Sequence, residues 1–325
     1  MTATPTSPAV PPRRARWLWF LPLAALAIPA VTNDYTQFVI NLMLVYIPVA
    51  VGFNVVIGNL GQLAFANAAF FGLGAYTTGV LMVHLGLPFW LAVPPAAVTG
   101  ALAGVLASVA ALRNIRLYYL AIVTLAFGEL MRWVYIQATP LTGGSLGMSL
   151  PRPEILGLSL SDDKAKFYVI LPVVTLLVVA TRNLLSSRVG RAIVAIKENE
   201  LAAASLGIPT ARYFVIAFAW SGFVVGLGGG LFAILLGHID PASFDLVELI
   251  RHFALVMFGG VGTLAGSVLG ALTLTAAPEF FRGFPGLEEL FFALLIIVVL
   301  VFLPRGLVSL LTPVIPALRE RFYRE

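Results

Sequence analysis

The stretch VGRAIVAIKENELAAASLGI, residues 189–208, is a charged segment between two apolar ones at 167–183 and 213–236. Its charged residues lie within about three helical turns of one another: Arg191, Lys197, Glu198 and Glu200. Smaller residues recur at helical spacing on another side: Ala192, Ala195, Ile196, Asn199, Ala203 and Leu206. Gly207 and Pro209 are typical of a helix end. The pattern predicts a short amphipathic helix that connects two membrane spans.

The composition of the whole chain is that of a membrane protein. Only 11% of its residues are charged, 60% are hydrophobic, and the mean hydropathy is +0.98. Apolar runs of about twenty residues recur, and each can cross a hydrocarbon core about 30 Å thick. The absence of cysteine excludes disulfides and thiolate metal sites, and three scattered histidines argue against a His-based metal site.

The apolar runs and the basic residues together predict the direction of each span. The first seven predicted spans are 17–31, 37–57, 63–84, 90–112, 117–137, 167–183 and 213–236. Lys and Arg concentrate before the first span, in residues 113–116 and in the loop 184–212, which the positive-inside rule assigns to the cytoplasm. The net charge of +5 therefore reports orientation and not nucleic-acid binding. A cleaved signal peptide is an open alternative for residues 17–31.

The C-terminal part requires an extra reversal of the chain. Its basic residues belong in the cytoplasm by the same rule: Arg305, Arg319, Arg321 and Arg324. A break in FGGVGT, residues 258–263, permits this, because glycines tolerate tight reversals. The break glycines are Gly259, Gly260 and Gly262. We predict two short segments, 246–259 and 264–280, before a last helix at 289–303. A re-entrant pair satisfies the same charges, so both readings stay open.

These assignments predict an all-α polytopic membrane protein with about ten membrane segments and both termini in the cytoplasm. Ionisable residues inside a span cost about 2.5–3.5 kcal/mol at its centre, so each calls for an explanation. Glu129 and Arg132 in 117–137 are the clear examples, and their spacing permits an ion pair within one helix. The candidates for lining a transport pathway are Asn67, Thr78, Thr124 and Glu129. Each is also explained by helix packing, and the sequence leaves both interpretations open.

The stretch 189–208 resembles the cytoplasmic loop of permease subunits of ABC importers, a relative of their EAA loop. The amino-acid sequence of this stretch is similar to that of LivM-type permeases of branched-chain amino acid importers. Four further stretches agree: GNLGQLAFANAAFFGLGAY (58–76), LYYLAIVTLAFGELMR (117–132), TGGSLGM (142–148) and MFGGVGTLAGSVLGA (257–271). Together they cover nearly the whole chain from residue 37 onward.

The resemblance implies a type II ABC importer permease fold in a bacterial inner membrane. It implies that 189–208 is a coupling helix that rests on an ATP-binding subunit. The residues that would serve this role are Gly190, Arg191, Lys197, Glu198, Asn199, Glu200, Ala203 and Gly207. No phosphate-binding GxxxxGK[ST] motif occurs in the chain, so ATP and magnesium are expected on the partner subunits and no cofactor on this chain. Other implied partners are a second, LivH-like permease and a periplasmic solute-binding protein.

The resulting domain plan has three parts. A disordered cytoplasmic N-terminus covers 1–16, a transmembrane permease domain covers 17–311, and a basic cytoplasmic tail covers 312–325. Within the permease domain, 138–166 forms a periplasmic loop and 184–212 the coupling loop. Acidic residues near the outer face either dock the binding protein or follow the charge asymmetry: Asp240, Asp245 and Glu248.

The predicted function is import by alternating access, in which this chain forms half of the pathway and is not an enzyme. A permease for urea or short amides is similar in these motifs and stays an alternative. An ion-coupled secondary transporter also uses broken helices, but it would normally bury several carboxylates near the midplane, where only Glu129 is a candidate. The exact substrate, the homodimeric or heterodimeric pairing and the resting conformation stay open.

Overall fold

The structure is a computed structural model, and it describes most of the chain between residues 26 and 281. The described residues are 26–112, 118–155, 158–160, 162–281, 290, 294, 297, 301 and 306–311. Several predicted features lie outside them: the N-terminus 1–16, most of the span 17–31, the basic residues 113–116, most of the helix 289–303, and the tail 312–325.

Helices dominate the described residues. They are α1 Ile28–Val31, α2 Asp34–Asn54, α3 Asn67–His84, α4 Phe89–Leu112, α5 Tyr118–Gln137, α6 Thr139–Thr142, α7 Asp163–Ser186, α8 Arg188–Glu198, α9 Glu200–Ser205, α10 Thr210–Leu236, α11 Leu246–Gly259, α12 Leu264–Phe281 and α13 Val308–Leu311. A π-helical turn, Val55–Asn59, extends α2. Short 3-10 turns cover Gly144–Leu146 and Pro241–Phe244.

The strands are short and lie in the loops between helices. They are β1 Met148–Ser149, β2 Glu154–Ile155, β3 Leu158–Ser159 and β4 His238–Ile239. β1 pairs antiparallel with β4, with Met148 opposite Ile239, and β2 pairs antiparallel with β3. The first of these pairs joins the loop after α5 to the loop after α10, although the two are far apart in sequence.

Five of the described helices are long and apolar enough to cross a membrane: α2 with its π turn, α4, α5, α7 and α10. They differ in how much of their surface the rest of the protein covers. The most apolar window of α2 is 83% buried and that of α10 is 72% buried, whereas that of α5 is 22% buried. The protein is thus a helical bundle with α2 and α10 at its centre and α5 at its edge.

Glycines allow the central helices to approach closely. Gly100 and Gly104 of α4 lie against α10, where a β-carbon on Gly100 would overlap the carbonyl oxygen of Gly222. In the reverse direction, a β-carbon on Gly226 would lie 2.5 Å from the carbonyl oxygen of Ala96. Backbones that touch in this way are typical of small-residue interfaces in membrane bundles. The packing of α4 on α10 therefore depends on Gly100 and Gly104 of α4 and on Gly222 and Gly226 of α10.

The chain reverses between α11 and α12. The helix α11 ends at Gly259, and the next two turn glycines have positive φ angles of 127° at Gly260 and 79° at Gly262. The helix α12 begins at Leu264 and returns against α11, where a β-carbon on Gly259 would overlap the carbonyl oxygen of Gly266. Only glycine adopts such backbone angles without strain while leaving room for this contact.

The span predicted at 63–84 begins later than the apolar run suggests. Residues 61–66 are not helical, and α3 starts only at Asn67. This non-helical segment lies within the bundle, where its backbone packs on α5: the N–H of Phe65 donates to Thr124 Oγ1 at 2.7 Å. Irregular backbone at such a depth is tolerated where protein or a water-filled cavity surrounds it.

Candidate functional site

The charged stretch 189–208 forms a helical hairpin and not the single helix predicted from its spacing. The helix α8 ends at Glu198, Asn199 is extended with φ −159° and ψ 104°, and α9 begins at Glu200. The side chain of Asn199 caps α9 by accepting the N–H of Ala202 at 2.9 Å. An Asn at an N-cap competes with the helical backbone, which explains the break.

Part of the small-residue face of this hairpin packs into the protein, whereas Asn199 and Leu206 of the same predicted face are exposed. Ala192, Ile196 and Ala203 are all buried. Gly190 is buried as well, and a β-carbon there would overlap the backbone of Leu185 in α7. Small residues suit close packing on the bundle as well as shallow docking, and the spacing alone does not separate these two uses.

The outward face of the hairpin carries charged and large apolar residues together. Leu201 and Leu206 are 71% and 82% exposed. The other coupling candidates on this side are exposed or partly so: Arg191, Lys197, Glu198, Asn199, Glu200 and Gly207. Two exposed leucines among charges form a surface typical of a protein contact. We call this surface, with Arg191, Glu198, Leu201 and Leu206 at its centre, the hairpin surface.

Lys197 connects the hairpin to the membrane helices. Its side chain crosses Gly61, where a β-carbon would lie 2.7 Å from Lys197 Cγ, and Gly61 has a φ of 76°. The ammonium group then approaches the turn between α11 and α12, since a β-carbon on Gly262 would lie 3.9 Å from Lys197 Nζ. One side chain thus lies against Gly61, shortly after α2 and its π turn, and reaches toward the turn at Gly260–Gly262.

Asn54 of α2 holds the glycine break in place from the other side. Its Nδ2 donates to the carbonyl of Thr263 at 2.9 Å and to Ser267 Oγ at 2.7 Å, and its Oδ1 accepts the N–H of Gly262 at 2.8 Å. Asn59 Nδ2 donates to the carbonyl of Gly262 at 3.2 Å. The amides therefore replace the backbone partners that the broken helix lacks.

Three of the four pathway candidates are buried and bonded inside the bundle. Thr78 donates to the carbonyl of Gly74 at 3.1 Å, and Thr124 donates to that of Leu120 at 2.7 Å. Asn67 Nδ2 lies 3.1 Å from His252 Nδ1. The fourth candidate, Glu129, is on the surface of α5, where Arg132 Nε donates to its Oε2 at 3.0 Å.

A second polar cluster surrounds Glu248, which the charge pattern placed on an outer acidic surface. Glu248 is buried at the start of α11, where Tyr46 donates a hydrogen bond of 2.6 Å to its Oε1. Arg251 lies 3.2 Å from its Oε2, and His252 Nε2 lies 3.1 Å from Oε1 without hydrogen-bond alignment. Tyr46 lies near the middle of α2, so Glu248 and His252 are inside the bundle and not at the outer face. No sequence signal distinguishes Glu248 from the half-buried Asp240 and Asp245 before it.

Comparison with known proteins identifies the family. The family described as "Branched-chain amino acid transport system / permease component" matches residues 35–303. The chain belongs to this family. It is 34% identical over 313 residues to the high-affinity branched-chain amino acid transport system permease protein LivM of Escherichia coli K12, covering 89% of this chain and 73% of LivM. The LivM protein of Salmonella typhimurium is 33% identical over 321 residues, covering 91% and 75%.

This permease family also includes more distant relatives of the chain. The permease protein LivH of Salmonella typhimurium is 26% identical over 288 residues, covering 81% of this chain and 91% of LivH. No solved structure matches the chain. The relatives are permease components and not enzymes, and the apolar helices of the chain agree with a membrane-embedded permease.

The permease has a compact surface opposite the hairpin, built from the two stretches that β1 and β4 join. Thr142 Oγ1 donates to the carbonyl of Tyr135 at 2.6 Å, which fixes the glycine-rich turn that follows it. Asp240 and Asp245 accept the N–H groups of Ala242 at 2.8 Å and Glu248 at 3.0 Å. These aspartates therefore cap short helical segments, whatever else they contact. Among the described residues no group of three His, Cys, Asp or Glu residues has the arrangement of a metal site.

Proposed function

We propose that the chain is the LivM-type permease subunit of an ATP-driven importer for branched-chain or related amino acids, forming half of the pathway. The observation that carries this proposal is the hairpin surface. Its inner face is packed on the membrane helices through Ala192, Ile196 and Ala203, and its outer face exposes Leu201 and Leu206 beside charges. Such a surface suits docking on a soluble ATP-binding subunit.

The partners follow from the same reasoning. Two ATP-binding subunits would hold ATP and magnesium, since the chain has no phosphate-binding motif. The names of LivM and LivH relatives support a heterodimer with a second, LivH-like permease. A periplasmic binding protein would dock on the surface around β1 and β4 and supply most of the selectivity. The permease itself would bind solute weakly, because a pathway must release what it admits.

The membrane arrangement in this proposal follows the charge pattern. The protein is a type II importer permease in a bacterial inner membrane, with about ten segments and both termini in the cytoplasm. The N-terminus 1–16 and the tail 312–325 flank a permease domain 17–311, in which 184–212 is the cytoplasmic coupling loop and 138–166 the periplasmic loop. The α11–α12 pair is a pair of short segments broken at Gly259, Gly260 and Gly262.

Alternating access requires a mechanical connection between the hairpin and the pathway. Lys197 supports one, because its side chain contacts Gly61 directly after α2 and approaches Gly262 in the glycine break. Asn54 binds the same break to α2 through three hydrogen bonds. A displacement of α8 by a closing ATPase would therefore reach α2 and α11 together.

Reconstitution of the complete importer tests the function. The permease is coexpressed with the LivH-like permease, ATP-binding subunits and binding protein of its own gene neighbourhood, and uptake into proteoliposomes is measured. We expect ATP-dependent uptake of radiolabelled leucine that is absent when the phosphate-binding lysine of the ATPases is replaced. Uptake of urea and not of leucine would favour the short-amide alternative. Accumulation by the permease alone, driven by an ion gradient without nucleotide, would refute the proposal.

A further inference from the structure

We propose that the wall of the translocation pathway is the face formed by the exposed sides of α5 and α11 and by the half-buried non-helical segment 61–66 between them. On this face, the Glu129–Arg132 and Glu248–Arg251 ion pairs would contact the charged ends of a zwitterionic amino acid in turn. This inference rests on the proposed function, and it identifies which side of the subunit the solute passes.

The first ion pair lies on the least covered span. Arg132 Nε and Glu129 Oε2 are 3.0 Å apart, and the two side chains are 37% and 46% exposed. Glu129 and Arg132 lie past the midpoint of α5, toward its end at Gln137. The pair is within the span and open to whatever surrounds the subunit.

The second ion pair lies at a similar depth on α11. Glu248 accepts a hydrogen bond from Tyr46, which is near the middle of α2, so the start of α11 is well inside the bundle. Glu248 is 11% exposed, whereas the side chain of Arg251 is 47% exposed and turns outward. Ile250, beside it, is 56% exposed. The exposed part of the second ion pair is therefore mainly the side chain of Arg251.

Phe65 connects α5, which carries the first ion pair, to α11, which carries the second. Its N–H donates to Thr124 of α5 at 2.7 Å, and a β-carbon on Gly128 would lie 3.8 Å from its carbonyl oxygen. Its ring meets that of Phe253 in α11 edge to face, with centroids 6.0 Å apart. Gly128 precedes Glu129, and Phe253 is one helical turn after the exposed Ile250. The aromatic contact therefore places α5 beside α11.

The charges on this face argue against contact with lipid. Ionisable side chains at membrane depth face a bundle interior or a water-filled cavity, because hydrocarbon does not solvate them. The exposed face of α4 differs from this one. The helix α4 contains no ionisable residue, and its exposed large residues are Trp90, Leu91, Val98, Leu102, Val105, Leu106 and Val109. The helices α5 and α11 also expose apolar residues, such as Ile122, Trp133 and Ile250, but carry the two ion pairs among them. We therefore assign the α4 face to lipid and the α5–α11 face to a water-filled pathway, closed on the far side by the second permease.

The chemistry of the face suits a zwitterion with an apolar side chain. The solute carboxylate would pair with the guanidinium of Arg132 or Arg251, which bind carboxylates with two parallel hydrogen bonds. The solute ammonium would meet Glu129, the more exposed carboxylate. The Phe65 and Phe253 rings offer apolar area for a branched side chain. Because each cation already has a carboxylate partner, the solute exchanges contacts and is held weakly.

Cysteine accessibility tests the position of the wall, and the chain has no cysteine of its own. In the assembled importer we would introduce Ala126→Cys on α5 or Ile250→Cys on α11, and Leu102→Cys or Leu106→Cys on α4 as matched controls. All four positions are exposed on the isolated subunit. A charged, membrane-impermeant thiol reagent should label the first two at least tenfold faster than the controls. Leucine with the binding protein and ATP should slow the first two reactions.

Charge-neutral variants test the chemistry. Arg132→Gln and Arg251→Gln should each reduce leucine uptake at least tenfold while ATP hydrolysis continues, and Arg132→Lys should restore part of the uptake. Arg251→Gln leaves Glu248 buried without its cation. If that variant does not fold, the double variant Glu248→Gln with Arg251→Gln is measured in its place. If the importer transports leucine but positions 126 and 250 are as unreactive as 102 and 106, the wall is elsewhere and the function stands. If the unmodified importer transports nothing, the proposed function itself fails.

Discussion

Lys197 of α8 lies across Gly61, so close that a β-carbon on Gly61 would be 2.7 Å from Lys197 Cγ. The two residues belong to different parts of the protein, since one is in the amphipathic hairpin and the other follows the central helix α2. Gly61 also has a positive φ of 76°, a conformation that other residues adopt only with strain. A small residue is thus required at Gly61 both by its backbone and by its neighbour.

We expect Gly61→Ala to weaken the coupling of ATP hydrolysis to transport. The added methyl group displaces the Lys197 side chain, and with it the contact between the hairpin and the end of α2. In proteoliposomes, leucine uptake per ATP hydrolysed should fall several-fold while ATP hydrolysis itself persists. The control is Gly86→Ala, because Gly86 has a φ of 61° and no atom within 4 Å of a β-carbon there. Both variants strain the backbone by about 1 kcal/mol. Equal loss in both would mean that backbone strain, and not Lys197, is responsible.

Asn54→Ala should destabilise the protein by about 1–3 kcal/mol, the typical penalty for leaving a buried polar group without a partner. Asn54 is buried and bonds Gly262, Thr263 and Ser267, and among the described residues the Gly262 N–H has no other hydrogen-bond partner. Thermal unfolding of the purified protein in detergent measures the effect. Asn183→Ala, at an exposed position of α7, is the matched control and should leave the unfolding temperature unchanged. An unchanged temperature for Asn54→Ala as well would show that the glycine break does not need this amide.

The sequence predicts the helices of this fold better than it predicts their contacts. Apolar runs locate the spans because crossing a hydrocarbon core demands length and composition, and both are local properties. The orientation of the hairpin is not local. Ala192 and Ala203 have the spacing of one helix face, but whether that face packs on the bundle or on a partner depends on where α8 and α9 lie. The structure turns it inward.

Glu248 illustrates the same limit in the candidate site. Because Asp240 and Asp245 come just before Glu248, the sequence predicts that Glu248 is another acidic residue of an outer loop. Only the contact with Tyr46, 202 positions away in sequence, shows that α11 begins inside the bundle. Glu129 and Arg132 were predictable as a pair because their spacing is local, and the observed distance of 3.0 Å agrees. Their role in transport stays a prediction.

Leu201→Glu should prevent the ATP-binding subunits from docking while the permease still inserts and folds. Leu201 is 71% exposed on the hairpin surface, so its replacement disturbs no internal packing. A carboxylate there would have to be desolvated in an apolar contact, which opposes binding. Copurification of the ATPases with the tagged permease measures the effect, and the recovered ATPase should fall at least tenfold. Leu146→Glu provides the control, because Leu146 is 85% exposed but lies in the loop before β1, at the other surface. Full recovery of the ATPases with Leu201→Glu would remove the docking assignment.

Gly100→Ala should disrupt the packing of α4 on α10, whereas Gly128→Ala should be tolerated. At Gly100 a β-carbon would overlap the carbonyl oxygen of Gly222 and lie 2.9 Å from Gly226 Cα, so the two helices must separate. At Gly128 the nearest such atom is the carbonyl oxygen of Phe65 at 3.8 Å, an ordinary contact. Overpacking costs about 1–3 kcal/mol, while alanine in a helix is favoured over glycine by about 1 kcal/mol. Gly100→Ala should therefore lower the unfolding temperature in detergent and Gly128→Ala should preserve or raise it. The same change in both would show that the close α4–α10 approach contributes little to stability.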